Sequence, residues 1–277
     1  MSHKYADLHI HSYYSDGTMS PQEILNIAAE KDIGLLAITD HDILEGSMEL
    51  LQLPANVSNI KCISGVELDA LDYGVNFHIL GYDIDLTNKD FTAFVHKNRT
   101  YLEEINIRLI EKMQKDFANI SMSDYKNFDY DRRKGGWKTL HYLMEKGLTN
   151  SLIEGFQIYR NYNHPNSTGE FPSIETVCRY IHSAGGKAIL AHPGRVMKED
   201  SLPMFNQMLR TIMSNGLDGI ECYYPSHSED ITLACLEYCE INNLIITCGS
   251  DCHGSFEKTE IGEMKIPIEE LYLGDLY

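Results

Sequence analysis

Short apolar runs recur along the chain and alternate with amphipathic stretches. The runs Tyr5–Ile10, Leu35–Thr39, Cys62–Glu67, Phe77–Tyr82, Ala188–His192, Gly219–Tyr223 and Leu244–Gly249 read as seven strands. Several are near-continuous in aliphatic residues, as strands buried on both faces are. Between them lie helical patterns. Ser20-Pro21-Gln22-Glu23 is a capping box with proline at the first helical position, and it predicts a helix to about Lys31, after which Gly34 resets the chain. Further helices are predicted from Ser173 to Gly185-Gly186, over Asp200–Asn215 and over Ser228–Asn242. Strand and helix in alternation predict an α/β protein built on a parallel barrel or sheet. The rhythm breaks over residues 84–171. There Asn88–Phe117 reads as one long polar helix, followed by a basic, aromatic and glycine-bearing segment around Arg132-Arg133-Lys134 and Trp137. The expected organisation is therefore a β/α body from 1–83 and 172–277, interrupted by a mostly helical insertion, 84–171, placed to act as a lid.

Residues able to bind metal collect at the ends of the strands. His9 and His11 are two apart, so on a strand they point to the same side. Asp16, in Ser15-Asp16-Gly17, reads by itself as a turn residue. Asp40, His41 and Asp42 follow directly on an apolar run, where buried charge is costly without a partner. Glu67, His192, Asp251 and His253 close later runs, while His78 stands near the start of its strand and is less firmly placed at the same rim. Strand C-termini of an α/β barrel share one rim, and a rim of imidazoles and carboxylates suits manganese, iron or zinc. Asp40 and Asp42 read as residues that orient ligands. His3, His96, His141, His164, His182 and His227 fall on predicted helices, loops or the terminus and read as structural or surface residues.

Composition narrows the picture. With 277 residues and 43% hydrophobic content the chain can bury one large core. Its apolar runs are too short to span a bilayer, and Met1–Tyr5 lacks a charged-then-apolar signal pattern, so a cytoplasmic location without membrane partners is expected. The net charge of -18 argues against a general binder of long nucleic acid. An acidic chain can still accept an anionic substrate where bound metal ions make the site positive. Seven cysteines without a CxxC pair read as reduced core thiols, with Cys252 set between two ligand candidates.

The ordered set Asp7-Leu8-His9-Ile10-His11-Ser12, Ser15-Asp16-Gly17, Thr39-Asp40-His41-Asp42, Gly65-Val66-Glu67, Ala191-His192-Pro193 and Ser250-Asp251-Cys252-His253 resembles the PHP (polymerase and histidinol phosphatase) phosphoesterases. It is most similar to stand-alone members that act as AMP or nucleoside 3',5'-bisphosphate phosphatases. The resemblance implies a distorted seven-stranded β/α barrel holding two or three divalent ions. Carried over by position, it puts His9, His11, Glu67 and Asp251 on a first ion. Glu67 would bridge to a second, shared with His78 and His192, and Asp16, His41 and His253 would hold a third.

The activity expected is hydrolysis of a small phosphate monoester, a nucleotide such as AMP or a nucleoside 3',5'-bisphosphate, by a metal-bridging hydroxide. Glu67, His253 and Arg195 are the expected catalytic residues, with Arg195 clamping phosphate oxygens. Arg133 and Trp137 of the insertion are the further candidates for substrate binding, through a second phosphate and a base. The alternatives are a histidinol-phosphate or other metabolite phosphatase, an oligonucleotide-acting nuclease, and a non-catalytic metal-binding module.

Overall fold

The computed structural model describes residues 4–54, 60–162, 170–197 and 201–277. His3, His164 and the expected helix start at Asp200 lie outside the described residues. Strands β1 (Tyr5–Asp7), β2 (Ile33–Leu36) and β3 (Lys61–Cys62) form a parallel sheet in that order. Strands β4 (Gly65–Asp72), β5 (Val75–Tyr82), β6 (Lys187–Leu190), β7 (Gly219–Tyr223) and β8 (Ile245–Cys248) form a second sheet, also in chain order. The described strands thus make two sheets, of three and five strands, where one distorted seven-stranded barrel was expected. The third predicted strand is divided. The chain leaves the first sheet at Cys62, the end of β3, and enters the other sheet at Gly65, where a Cβ would lie 2.8 Å from the Ile38 carbonyl oxygen.

Single bridges tie the two sheets together at their edges. His41 pairs with Glu67, and Ile10 with Cys252, both in parallel. Leu8 donates to the Cys248 carbonyl at 3.1 Å and Asp251 donates to the His9 carbonyl at 2.8 Å, so the ladder runs past the end of β1 into the functional loops. One core cluster draws Leu8, Leu35, Leu80, Tyr82, Ile189 and Cys248 from both sheets, and the Tyr82 hydroxyl donates to the Leu8 carbonyl at 2.8 Å.

The direction of β5 departs from the parallel expectation. It is antiparallel to both β4 and β6. A two-residue turn, Tyr73-Gly74, joins it to β4 with φ of 52° and 73°, the left-handed pair that a tight hairpin requires. Reversal brings the start of β5 to the same end as the C-termini of its neighbours, and so puts His78 directly across from Asp69 at that rim.

The helices follow the sequence pattern closely. In α1 (Pro21–Glu30) Ser20 and Glu23 form the reciprocal capping box, a motif whose cap is worth about 1 kcal/mol. Helix α2 (Glu45–Gln52), with no side-chain cap, was not anticipated. The long helix α3 (Lys89–Met113) is capped by Asn88 and followed by α4 (Met122–Asn127), α5 (Lys138–Glu145) and α6 (Leu152–Asn161). Then come α7 (Ile174–Ser183), the short α8 (Pro193–Val196), α9 (Leu202–Met213) and α10 (Glu229–Asn242). Phe91 and Val95 of α3 belong to the main core beside Phe77 and Ile181. Further along, Leu109, Ile110 and Met113 pack with Tyr125, Tyr142 and Leu143 in a separate cluster. Helix α3 therefore runs from the body into the helical segment as one continuous helix. All seven cysteines are free thiols, and Cys252 is buried. No helix among the described residues is long and apolar enough to cross a membrane.

Candidate metal centre

His9 and His11 project to one side because Leu8 and Ile10, on the alternate side, are fully buried in the core. From there the rim closes around Glu67. One oxygen, Oε1, lies 2.8 Å from His78 Nδ1 and 3.0 Å from His192 Nε2. The other, Oε2, lies 3.1 Å from His41 Nδ1, 3.3 Å from His11 Nε2 and 3.4 Å from His9 Nε2. The carboxylate thus faces two different sets of imidazoles with its two oxygens. Asp251 is divided in the same way. Its Oδ1 lies 3.1 Å from His11 Nε2 and 3.4 Å from His9 Nε2, while its Oδ2 accepts from Arg195 at 2.5 Å and from the Tyr224 hydroxyl at 2.8 Å. His253 Nε2 lies 3.4 Å from Asp16 Oδ2, and the His253 ring stacks on His11 with centroids 4.1 Å apart.

All nine residues expected as ligands meet here. Their donor atoms fall into four overlapping groups, each within 4.8 Å: His11, Asp16, His41 and His253; His9, His11 and Asp251; His9, Glu67 and His192; His41, Glu67 and His78. Buried His11 Nδ1, Asp16 Oδ1 and Glu67 Oε2 have no hydrogen-bond partner among the described residues. Orphaned donors of this kind, in a mixed imidazole and carboxylate set, fit divalent cations.

The electrostatics point the same way. Burial pushes the Glu67 carboxyl up, but His41, His78 and His9 hold it well below the usual carboxylate range. Burial likewise opposes charge on His11, yet Asp251 and Glu67 raise it to about 10. In His41 burial prevails and lowers the imidazole to about 4. The cluster therefore holds ionised carboxylates inside the protein, a setting that favours a cation.

Around the ligands sits a supporting shell. Asp40 accepts from the Ser12 backbone and hydroxyl and from the Ser15 hydroxyl at 2.5–2.7 Å, fixing the loop that carries Asp16. Asp42 accepts from the Asp69 N–H and from Asn98 of α3. Both thus orient neighbouring segments. Glu221 of β7 was overlooked. It is fully buried, one oxygen lies 3.0 Å from His9 Nδ1, and the other accepts from the His192 N–H at 2.9 Å. A carboxylate inside the apolar run Gly219–Tyr223 is the same signal that marked the other ligands, and it could have been found that way. The second contact steadies an unusual backbone, for His192 has φ of 26°. His227 helps as well, its Nε2 accepting from Gly194 N–H at 3.1 Å in the turn that carries Arg195.

A cavity of about 670 Å³ opens over the cluster, and both Arg195 and Trp137 line it. Trp137 stands 5.6 Å from the His41 ring, with the Arg99 guanidinium 5.4 Å from its own ring. Arg133 does not line the cavity. Half exposed, it pairs with Glu23 at 2.7 Å and lies over the Tyr13 ring. Leu102, Ile105 and Asn106 of α3 and Ile153, Phe156, Tyr159 and Arg160 of α6 complete the far side.

Known proteins share this architecture. A 5'-3' exoribonuclease of Haemophilus influenzae is 28% identical over 95% of this chain and 94% of its own. A 3',5'-nucleoside bisphosphate phosphatase of Chromobacterium violaceum is 27% identical over 91% of this chain and 88% of its own. A solved structure from Bifidobacterium adolescentis superposes with a TM-score of 0.79 at 23% identity, covering 99% of this chain and 98% of that one. Fold and site define a metal-dependent phosphoesterase. The family model described as PHP domain matches residues 7–188, and the chain belongs to that family.

Proposed function

We propose that the protein hydrolyses a phosphate monoester of a nucleotide, AMP or a nucleoside 3',5'-bisphosphate, with two or three manganese, iron or zinc ions held by the nine rim residues. The observation that carries this reading is Trp137, the chain's single tryptophan, presented to the cavity beside His41. An indole flanked by an imidazole and a guanidinium offers a stacking face for a base next to the metal centre. Bound divalent ions neutralise phosphoryl oxygens and acidify water. Glu67 keeps the two halves of the cluster together through its two oxygens. Arg195 reaches the cavity from the side of Asp251 and orients a phosphoryl oxygen. His253, its Nδ1 on the Asp251 carbonyl and its Nε2 3.4 Å from Asp16 Oδ2, would hold a third ion with Asp16 and His41, and such an ion would supply positive charge for the departing oxygen.

A second reading, attack on the 5' end of a short RNA, is favoured by the Haemophilus relative, which matches nearly the whole chain. Kinetics on AMP, adenosine 3',5'-bisphosphate, a 5'-phosphorylated oligoribonucleotide, histidinol phosphate and p-nitrophenyl phosphate separate the two. Release of phosphate from the mononucleotides at the highest kcat/KM supports the first reading. Trp137→Ala should then raise KM for the nucleotide more than for p-nitrophenyl phosphate. Activity confined to histidinol phosphate, or equal effects of the substitution on both substrates, would defeat it.

A further inference from the structure

Helix α6 turns an unusual stripe toward the cavity. Ile153, Phe156 and Arg160 are spaced i, i+3 and i+7, so they share one face, and all three line the same space as the metal cluster. Ile153 is an apolar side chain left 53% exposed. Gly155 lets α6 settle on α5, since a Cβ there would lie 2.5 Å from Leu140 Cδ2. The stripe is thereby fixed by tight helix packing.

Charge at the end of the stripe is what sets Arg160 apart. The arginines nearer the metal centre are engaged with carboxylates, Arg195 with Asp251 and Arg99 with Glu103, as is Arg133 outside the cavity with Glu23. Arg160 has no carboxylate partner among the described residues. Its Nε and Nη2 both reach the neutral Gln157 Oε1, at 3.1 and 3.0 Å. A guanidinium without a counter-charge, in a cavity whose other end is a metal centre, is suited to a second anion.

We infer that Arg160, at the end of the apolar face of α6, binds a second phosphate of the substrate, separated from the scissile phosphate by a nucleoside. The inference rests on the phosphoesterase reading above and assigns to Arg160 the role that the sequence suggested for Arg133. The chemistry is shared by a nucleoside 3',5'-bisphosphate and by the next phosphodiester of a 5'-phosphorylated dinucleotide.

The test uses Arg160→Ala, Arg160→Lys and, as a control away from the cavity, Arg133→Ala. Arg160→Ala should lower kcat/KM for adenosine 3',5'-bisphosphate or for the 5'-phosphorylated dinucleotide about ten- to a hundredfold, chiefly through KM. AMP and p-nitrophenyl phosphate should change by less than about twofold, because they bring no second phosphate to lose. The lysine variant should recover part of the loss, and Arg133→Ala should match wild type. The larger effect of the two doubly anionic substrates identifies the source of the second phosphate. Quenching of Trp137 fluorescence reports adenosine 3',5'-bisphosphate binding without turnover. Weaker quenching in Arg160→Ala with no nucleotide hydrolysed by wild type would uphold the subsite and remove the proposed substrate. Equal losses on AMP and the bisphosphate, or unchanged binding and kinetics of the bisphosphate, would overturn the inference.

Discussion

Replacing Glu221 by Gln keeps the size of the side chain and changes what it can accept. In the wild type one carboxylate oxygen faces His9 Nδ1 at 3.0 Å and the other accepts from the His192 N–H at 2.9 Å. An amide has a single accepting oxygen. If that oxygen stays on the His192 N–H, the amide NH2 must donate to His9 Nδ1. The ring proton then moves to Nε2, the atom that faces Glu67, Asp251 and His11 and would bind metal. If the amide flips, its NH2 opposes the His192 N–H, donor against donor. The flipped arrangement leaves two buried donors opposed, which costs roughly 1–3 kcal/mol, whereas the unflipped one puts a proton on the nitrogen that would bind metal. Loss of such an outer partner lowers metal affinity about 10- to 100-fold, or roughly 1.4–2.8 kcal/mol. Competition between a chelating dye and metal-stripped protein, titrated with manganese or zinc, measures this directly. Circular dichroism confirms that the variant is folded. A folded Glu221→Gln protein with wild-type metal affinity would refute the view that Glu221 sets the His9 tautomer.

The remaining predictions concern the same rim. Elemental analysis of protein purified without chelators should find more than one equivalent of manganese, iron or zinc per chain, because nine donor residues exceed what one ion coordinates; a metal-free sample with full activity would end the mechanism. Glu67→Gln should lose about two orders of magnitude or more in turnover with the fold intact, and near-normal rates at full metal content would show that its two oxygens do not serve two ions. Arg195→Ala should lower kcat/KM about tenfold or more with metal retained, since Asp251 Oδ1 faces His9 and His11 while Oδ2 holds Arg195. Unchanged kinetics there would make Arg195 an ordinary surface residue. Gly249→Ala would set a Cβ 2.2 Å from His9 Cβ and 2.6 Å from Glu221 Oε1. Overpacking of this kind should destabilise by about 1–3 kcal/mol, and an unchanged melting temperature would contradict the close approach.

Periodicity and caps are local properties, and they made most of the frame legible from the sequence alone. Strand positions, the Ser20 capping box, the long helix begun at Asn88 and the concentration of His, Asp and Glu at strand ends all follow from the order of residues within a few positions. The ligand types could be read because charge placed directly after an apolar run has to find a partner inside the protein. The turn Tyr73-Gly74 was a local signal too, though it went unread, and with it the reversal that brings His78 to the rim. Tertiary structure decided the rest, because those contacts join residues with no neighbourhood in sequence. His9 meets Glu221 across 212 positions, and Arg195 meets Asp251 across 56. The same holds for the insertion. Arg133 looked suited to a phosphate by composition, yet the packing of α5 and α6 turns Arg160 to the cavity and leaves Arg133 on Glu23. A guanidinium's charge is written in the sequence, while its partner depends on which helix face the fold presents to the site.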